Sequence, residues 1–457
     1  MSELHDLTAL EQGAAIARGE TSTGELVAHY LERIERINPS VGAFVTVTGD
    51  QGRAADASGP LAGVPTAIKD LANTEGVRTT YGSALFAEWV PTFSDEVVLR
   101  IEAAGMVSLG KTATPEFGSP CYTEPEGFPA AATPYDTSRM AGGSSGGAGA
   151  AVAAGLVPLA HGSDGGGSIR IPASCCGLVG FKPSRGVVSA SPMYGEITGL
   201  ATGGPLARTV SDAAAFLDVM AGRAVGDPFW APVEPYLAAC SGEPGQLRIG
   251  RFADPVIATA SVDPEVLAAY EHTSALLESL GHEVVDVDVP IPAEAVPVFE
   301  TVWAVLTAMT PLPREAWAQL RPLTRWLTER GAAVSAPEFG MVLGEMRRVA
   351  ARALTALSPY DAVLTPTLAQ LPAPVGALRN DEHPEIDFEN QKAFTPFTST
   401  WNITGMPAVS LPLGWSQSGL PIGVMLAARP AEDATLLSLA AQIEAAQPWR
   451  DQHPGCW

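Results

Sequence analysis

Residues 141–182 read AGGSSGGAGAAVAAGLVPLAHGSDGGGSIRIPASCCGLVGFK, and the rest of the chain is interpreted outward from this stretch. Two serines in it are framed by glycines: Ser144 in GGSSGG and Ser168 in DGGGSIR. Glycine lets the backbone approach a ligand closely, so such dense runs indicate main-chain N–H groups that face an anion or a developing oxyanion. A serine hydroxyl beside these amides suits the nucleophile of an acyl-transfer reaction.

Helical and strand patterns alternate on both sides of this stretch. GGAGAAVAAGLVPLA predicts a small-residue helix and a short strand leading into Ser168, and residues 95–104 predict a helix followed by the strand MVSLG. A further helix, DPEVLAAYEHTSALLESLG, precedes the strand HEVVDVDVP. YDAVLTPTLAQLPAP and WNITGMPAVSLPLGW predict strands, and AEDATLLSLAAQIEAA predicts a closing helix. We therefore expect an α/β fold.

The chain shows no repeat or flexible linker, which predicts one domain over residues 1–457. Residues 1–60 are expected to form an N-terminal helical layer, with capping boxes at Thr8/Glu11 and Ser22/Glu25. Residues 61–225 are expected to form the catalytic core. A variable helical region is expected at about 290–358, and residues 359–457 are expected to complete the sheet.

Composition and charge exclude several kinds of partner. A net charge of −23 would repel phosphates, so we expect no nucleic-acid partner. The five cysteines are too few and too irregular for a disulfide framework or a zinc site, which favours a cytoplasmic location. No stretch approaches the ~20 apolar residues of a membrane span, so we expect no membrane partner. A small-molecule substrate is therefore the kind of partner that we expect.

A serine nucleophile requires a base, and the residues favour lysine over histidine. His161 lies near the glycine-rich stretch, but nothing in the sequence marks it as a catalytic partner. Lys69 follows the apolar run VPTAI, which would carry it into the interior, where burial lowers the pKa of an amine toward neutrality. The competing interpretation is a salt bridge between Lys69 and Asp70 or another carboxylate.

The two serines suggest how Lys69 could activate a nucleophile. One hydroxyl can relay a proton between the amine of Lys69 and the attacking oxygen of the other serine. Spacing alone does not decide which serine attacks. GGSSGG is also compatible with a flexible loop or with a helix N-terminus that binds phosphate. A nucleotide site of the Walker type is disfavoured, since no GK[ST] follows.

Three motifs, GVPTAIKD, GGSSGG and GSDGGGSIRIPASCCGLVGFKPSRG, resemble the amidase signature family of serine amidohydrolases. The resemblance is strongest over residues 61–208 and resumes at YDAVLTPT and NITGMPAVSLPLG, so it covers most of the chain except the helical region. It implies a single α/β/α domain around a large mixed, twisted sheet covered by helices. The implied activity is hydrolysis of a small-molecule amide without metal or other cofactor. Many members are dimers, so a homodimer is a partner to test for.

The resemblance also implies roles for individual residues. Ser168 corresponds to the acylated nucleophile, Ser144 to a bridging serine that follows a cis peptide bond, and Lys69 to the base. Asp164 and Arg170 correspond to positions that hold the glycine-rich loop in shape. The implied oxyanion hole consists of the amides of Gly165, Gly166, Gly167 and Ser168.

The substrate pocket is harder to derive, because pocket and core aromatic residues look alike in a sequence. Family pockets combine the segment before the bridging serine with variable helices, which predicts a site for an apolar or aromatic acyl or amine group. Trp303 is a further candidate on the variable helices. The predicted pocket residues are Ser119, Cys121, Tyr122, Tyr194 and Trp401.

Two other functions fit parts of the sequence. One is the A subunit of a tRNA-dependent amidotransferase, a glutaminase that works inside a complex, although VVSASPMYGEITGLATGG departs from the pattern expected there. The other is a noncatalytic binding protein on the same scaffold. The presence of Lys69, Ser144 and Ser168 together argues against this second alternative.

Overall fold

The computed structural model describes residues 3–49 and 58–457. Within these ranges, the strands form one sheet of three and one sheet of eight. The small sheet contains β1 (Phe44–Val47), β2 (Pro65–Lys69) and β3 (Val107–Thr112). The large sheet contains β4 (Leu159–Asp164), β5 (Val179–Lys182), β6 (Thr202–Ala207), β7 (Arg248–Arg251), β8 (Glu283–Asp286), β9 (Ala362–Pro366), β10 (Ala408–Trp415) and β11 (Pro421–Ala428).

The large sheet is mixed, in the order β4-β6-β5-β10-β11-β9-β7-β8. Neighbouring strands are antiparallel from β4 to β9, whereas β7 is parallel to both β9 and β8. In the small sheet, β3 is antiparallel to β1 and parallel to β2. The mixed sheet confirms the predicted fold class, but the sequence did not indicate that Lys69 ends a strand of a separate, smaller sheet.

Both faces of the large sheet are covered, as the alternation along β11 illustrates. Val424 and Leu426 pack into one core cluster, whereas Met425 and Ala427 pack into another, because successive strand residues point to opposite faces. The helices are α1 (Ala9–Ala17), α2 (Thr23–Val41), α3 (Glu96–Ala103), α4 (Gly146–Ala153), α5 (Arg170–Cys176), α6 (Val210–Met220), α7 (Tyr236–Ala239), α8 (Pro264–Ser279), α9 (Val296–Ala308), α10 (Pro322–Ala332), α11 (Ala336–Leu357), α12 (Pro384–Phe394), α13 (Thr400–Thr404) and α14 (Asp433–Ala446).

The helical region expected at about 290–358 contains α9, α10 and α11, and two of these helices cover one face of the large sheet. Phe299 and Val302 of α9 and Met346 of α11 join the core cluster that holds Met425 of β11. No helix among the described residues has the length and apolarity needed to cross a membrane.

The sequence predicted the N-termini of α1 and α2 correctly, but it predicted the start of one strand incorrectly. Both capping boxes form: Glu11 N–H donates to Thr8 Oγ1, and Glu25 N–H donates to Ser22 Oγ. The strand predicted for WNITGMPAVSLPLGW is wrong at its start, because residues 400–404 form α13 and β10 begins only at residue 408. Gly405, with φ +75°, ends that helix. Part of the predicted N-terminal layer, residues 1–2 and 50–57, lies outside the described residues.

Candidate active site

Three segments converge where β2 and β4 end. Lys69 is the last residue of β2, and Asp164 is the last residue of β4. The two strands lie against each other, with Thr66 Oγ1 donating to the carbonyl of Leu159 at 3.2 Å. The segment that contains Ser144 enters α4 immediately afterwards. This arrangement brings together buried residues that are far apart in sequence.

Lys69 is completely buried and lies between two serines. Its Nζ donates to Ser144 Oγ at 2.8 Å, to Ser163 Oγ at 3.0 Å and to the Ser163 carbonyl oxygen at 3.2 Å. Burial lowers the pKa of Lys69 to about 7, although the charge of Asp164 opposes this shift. A large fraction of the amine is therefore neutral at physiological pH.

Asp70 does not accept a hydrogen bond from the amine of Lys69. Its carboxylate instead accepts hydrogen bonds from the N–H, at 3.0 Å, and the hydroxyl of Thr80. No ion pair involves Lys69 within the described part of the chain. The salt-bridge interpretation of the KD dipeptide is therefore wrong.

Ser163 is a site residue that sequence analysis missed. It holds Lys69 through both its hydroxyl and its carbonyl group. The available signal was a polar residue near the end of LAHGSD, a strand whose earlier positions are buried, immediately before the glycine-rich loop. Strand alternation alone does not say that this side chain faces a lysine from another sheet.

Ser144 and Ser168 line the same cavity, which has a volume of about 170 Å³. The peptide bond between Gly143 and Ser144 is cis. Both serines are nearly buried, and the N–H of Ser145 donates to the Ser168 carbonyl at 3.1 Å, which ties the two serine segments together. The two serines are thus held next to each other at the wall of one cavity.

The glycine-rich loop is organised by Asp164, whose carboxylate accepts the N–H groups of Gly167 at 2.8 Å and Ile169 at 3.1 Å. Arg170 donates to both oxygens of the same carboxylate, at 2.8 and 2.9 Å, and Asn402 donates to it at 2.9 Å. Burial opposes ionisation of Asp164, but the Arg170 guanidinium, together with the charge of Lys182 and the hydrogen bond from Asn402, outweighs burial and holds the pKa of Asp164 well below its usual range. The loop is built around a buried, bidentate ion pair.

This loop geometry corrects the predicted oxyanion hole. The amide of Gly167 is already engaged by Asp164, so it is not available to a reacting oxygen. Gly167 has φ +136°, and a Cβ there would lie 2.5 Å from Thr398 Oγ1, which explains the glycine. Within the described residues, no hydrogen bond engages the amides of Gly165, Gly166 and Ser168.

Removing the charge of Asp164 should destabilise the fold strongly. In Asp164→Asn, the buried guanidinium of Arg170 would lose its counterion, an effect expected to cost about 3–5 kcal/mol in the free energy of unfolding. Denaturant unfolding would measure the loss. The matched control is Glu20→Gln, which breaks the solvent-exposed pair with Arg18 and should leave the unfolding midpoint close to that of the wild type. Equal unfolding midpoints for Asp164→Asn and the wild type would contradict the assigned role.

Two candidate pocket residues lie on the wall of the serine cavity. Trp303 Nε1 donates to Ser119 Oγ at 3.1 Å, and the indole stacks on Phe299 with ring centroids 5.6 Å apart. The wall is mainly apolar, with Glu196 at the border to a neighbouring cavity. The lining residues are Leu71, Phe117, Gly118, Ser119, Ser144, Ser163, Gly165, Ser168, Glu196, Leu200, Ala201, Trp303, Leu306, Thr307 and Thr310.

Three other predicted pocket residues do not line this cavity. Trp401 is completely buried in a core cluster. Cys121 and Tyr122 are also buried, and their polar groups are engaged elsewhere: Cys121 N–H donates to Gln391, and Tyr122 Oη donates to Asp387 at 2.7 Å. These contacts attach the segment that contains Cys121 and Tyr122 to α12. None of the three residues is part of the cavity wall, which corrects their assignment as pocket residues.

Tyr194 and His161 line the neighbouring cavity, which has a volume of about 270 Å³. This larger cavity contains neither Ser144 nor Ser168 among its lining residues. Burial lowers the pKa of His161 to about 3, so the imidazole is neutral. The placement of His161 agrees with the choice of lysine as the candidate base.

Comparison with known proteins places the chain among amide hydrolases. The Amidase family model matches residues 25–437. The chain is 36% identical over 478 residues to a 6-aminohexanoate-cyclic-dimer hydrolase from Paenarthrobacter ureafaciens, covering 98% of this chain and 96% of the relative. An acylamidase from Rhodococcus erythropolis is 34% identical over 489 residues, covering 99% and 98% of the two chains. The solved structure of a 6-aminohexanoate cyclic dimer hydrolase matches with a TM-score of 0.92 at 34% identity, covering 100% of both chains.

The chain belongs to the amidase family, in agreement with the resemblance found in its sequence. It is an amidohydrolase that acts on non-peptide C–N bonds. The two relatives named above are hydrolases and match this chain over almost their full lengths, so the alternative of a tRNA-dependent amidotransferase subunit is not favoured.

Proposed function

We propose that Ser168 is the nucleophile, that Ser144 relays the proton and that Lys69 is the base. One observation carries this proposal: Lys69 is a completely buried amine, its Nζ lies 2.8 Å from Ser144 Oγ, and burial lowers its pKa to about 7. A base is most effective when its pKa lies near the working pH.

The hydrogen-bond partners of Lys69 suit a neutral amine. A neutral amine has two N–H donors and one lone pair, whereas an ammonium group has three donors and no acceptor. The hydroxyl and carbonyl oxygens of Ser163 can accept the two N–H groups. The lone pair is then left to face the hydroxyl of Ser144. In this state Ser144 donates its proton to Lys69 and can accept one from Ser168.

The proposed reaction proceeds through an acyl-enzyme. Ser168 Oγ attacks the amide carbonyl as its proton moves to Ser144 and the Ser144 proton moves to Lys69. The amides of Gly165, Gly166 and Ser168 are the remaining donors for the oxyanion. The proton returns through Ser144 to the leaving nitrogen, and the C–N bond breaks to release the amine. Water then cleaves the ester, giving the carboxylic acid and restoring Ser168. We expect no metal or organic cofactor.

We propose small, uncharged amides with apolar chains or rings as substrates. The cavity is below the usual size of sites for drug-sized ligands. Most of the wall surface is apolar, and Leu71, Phe117, Leu200, Ala201, Trp303 and Leu306 contribute to it. A panel should contain the 6-aminohexanoate cyclic dimer, simple aliphatic amides, anilides, and matching esters and carbamates. Mass analysis of the products would identify the preferred acyl and amine groups. Preference for charged amides would contradict the proposed class.

A fluorophosphonate probe tests the nucleophile directly. The wild-type enzyme should gain one adduct per chain, and peptide mass spectrometry should locate that adduct on Ser168. The Ser168→Ala variant should gain none. Failure of the folded wild-type chain to react would favour the noncatalytic binding protein, and an adduct on Ser144 would reverse the assigned roles of the two serines.

Trp303 should contribute to substrate binding more than to chemistry. Trp303→Ala removes a large apolar part of the cavity wall and the partner of Ser119, so KM should rise about tenfold while kcat changes less than about threefold. Steady-state kinetics would show this separation. The matched control is Trp326→Ala in α10, because Trp326 packs on Phe388 and does not line the cavity. Equal effects on KM would contradict the assignment.

We propose that the whole chain works as one domain in the cytoplasm. The free state of all five cysteines supports a reducing compartment. Light scattering coupled to size-exclusion chromatography would test for the homodimer that the family resemblance suggests. Activity of the isolated chain on simple amides would show that no partner subunit is needed.

A further inference from the structure

A separate cluster of metal-ligating side chains lies at the N-terminal end of the chain, outside both cavities described above. It consists of Glu3, His5 and His29, and one ligand atom from each lies within 4.8 Å of the others. His5 stands in a short 3₁₀ turn, Leu4–Asp6, and His29 stands on α2. The two imidazoles stack with an interplanar angle of 17°, and His5 Nδ1 lies 3.0 Å from His29 Nε2.

We propose that Glu3, His5 and His29 bind a divalent transition-metal ion of the Zn²⁺ type. Two imidazoles and a carboxylate are a ligand set typical of zinc, and they exclude the all-oxygen environments that Mg²⁺ and Ca²⁺ prefer. In a tetrahedral site with Zn–N bonds of about 2.0–2.1 Å, two nitrogen ligands lie about 3.3 Å apart. At present these two nitrogens share a hydrogen bond. To admit the ion, they need to separate by about 0.3 Å, and the imidazole that donates must move its proton to its other ring nitrogen, so that both facing nitrogens offer lone pairs.

The third ligand can adjust more freely than the histidines. Glu3 is exposed, whereas His5 is buried and His29 is partly buried. An exposed glutamate can change rotamer at little cost. The Glu3 carboxylate can therefore move to bind an ion held by the two imidazoles. Water would complete the tetrahedron.

The charges around the cluster set the expected affinity. Burial, followed by the positive charge of Arg33, lowers the pKa of His5 to about 4, and burial also lowers the pKa of His29. A metal ion binds the neutral form of an imidazole. The charges of Arg33, Arg36 and Arg208 disfavour a dication, whereas those of Glu3, Asp6 and Glu32 favour it.

The position of the cluster indicates what a bound ion would do. The edge of the His5 ring packs against Trp457, with centroids 5.1 Å apart, and Trp457 Nε1 donates to Asp6 Oδ1 at 2.9 Å. A metal ion would therefore brace the 3₁₀ turn against α2 and, through His5, against the C-terminal residue. Its role would be to stabilise the structure and not to take part in amide hydrolysis.

Calorimetric titration of the tag-free, metal-stripped full-length chain with Zn²⁺ at pH 7.5 tests the proposal. The wild type should bind one Zn²⁺ per chain. His29→Ala and His5→Ala should each weaken binding at least about tenfold, and Glu3→Gln should weaken it less. The matched control is His453→Ala, because His453 stacks on Trp457 nearby but lies outside the cluster, and this variant should bind like the wild type. No saturable binding, or wild-type affinity in His29→Ala, would overturn the proposal.

Thermal unfolding provides a second measurement that does not depend on catalysis. Zn²⁺ at about 100 times the wild-type dissociation constant should raise the Tm of the wild type by roughly 3 °C and that of His29→Ala by about half as much or less. Circular dichroism establishes that the variant is folded, since His29 lies on the partly exposed side of a long helix. An equal rise in both proteins would place the ion elsewhere and would overturn the site.

Discussion

Replacement of Ser168 by alanine should lower kcat for amide hydrolysis by at least about 10⁴-fold and leave the structure intact. The hydroxyl is the group that would form the acyl bond, and no other described side chain on the loop could take its place. The fold should persist, because the main-chain contacts of the loop run through the carbonyl of Ser168 and the carboxylate of Asp164. Steady-state kinetics and denaturant unfolding would measure the two effects.

The matched control for this variant is another buried serine that follows on α5. Ser174 Oγ accepts the N–H of Gly423 at 3.0 Å, so Ser174→Ala should lose stability but retain near wild-type kcat. The opposite pattern is expected for Ser168→Ala. If the Ser168→Ala enzyme retained more than about 1% of the wild-type kcat, a different nucleophile would have to be sought.

The parts of the site that could be predicted from sequence are those fixed by local chemistry. Glycines crowd around Ser144 and Ser168 because the backbone there must pass close to other groups, and such positions leave a visible motif. The apolar run before Lys69 likewise predicts a buried amine. The capping boxes of α1 and α2 are set within four residues, so their prediction required no knowledge of the fold.

The parts that could not be predicted depend on contacts between distant segments. Ser163 matters because β4 of the large sheet packs against β2 of the small sheet, a pairing without a sequence signature. Trp303 faces the cavity and Trp401 faces the core, although both are tryptophans on helices. The amide of Gly167 looks equivalent to its neighbours until the position of the Asp164 carboxylate is known.

Hydrolysis should become faster as pH rises through about 7, and this rise should depend on Lys69. Burial lowers the pKa of Lys69 to about 7, and only the neutral amine can accept the proton from Ser144. The active fraction should therefore be about one tenth at pH 6 and about nine tenths at pH 8. Lys69→Ala should lower kcat by about 10³-fold and remove this dependence. Rates measured across pH 5.5–9 would show both changes.

A second buried lysine makes this test specific. Burial also lowers the pKa of Lys182 to about 7, but its Nζ donates to the carbonyl of Pro183, and it does not line the serine cavity. Lys182→Met should therefore keep the rise near pH 7, even if the variant is less stable. If the rise in rate disappeared in Lys182→Met and survived in Lys69→Ala, the titrating group would be Lys182, and the assignment to Lys69 would be contradicted. Near wild-type kcat at pH 7–8 in Lys69→Ala would exclude the proposed relay, because no other described amine contacts Ser144.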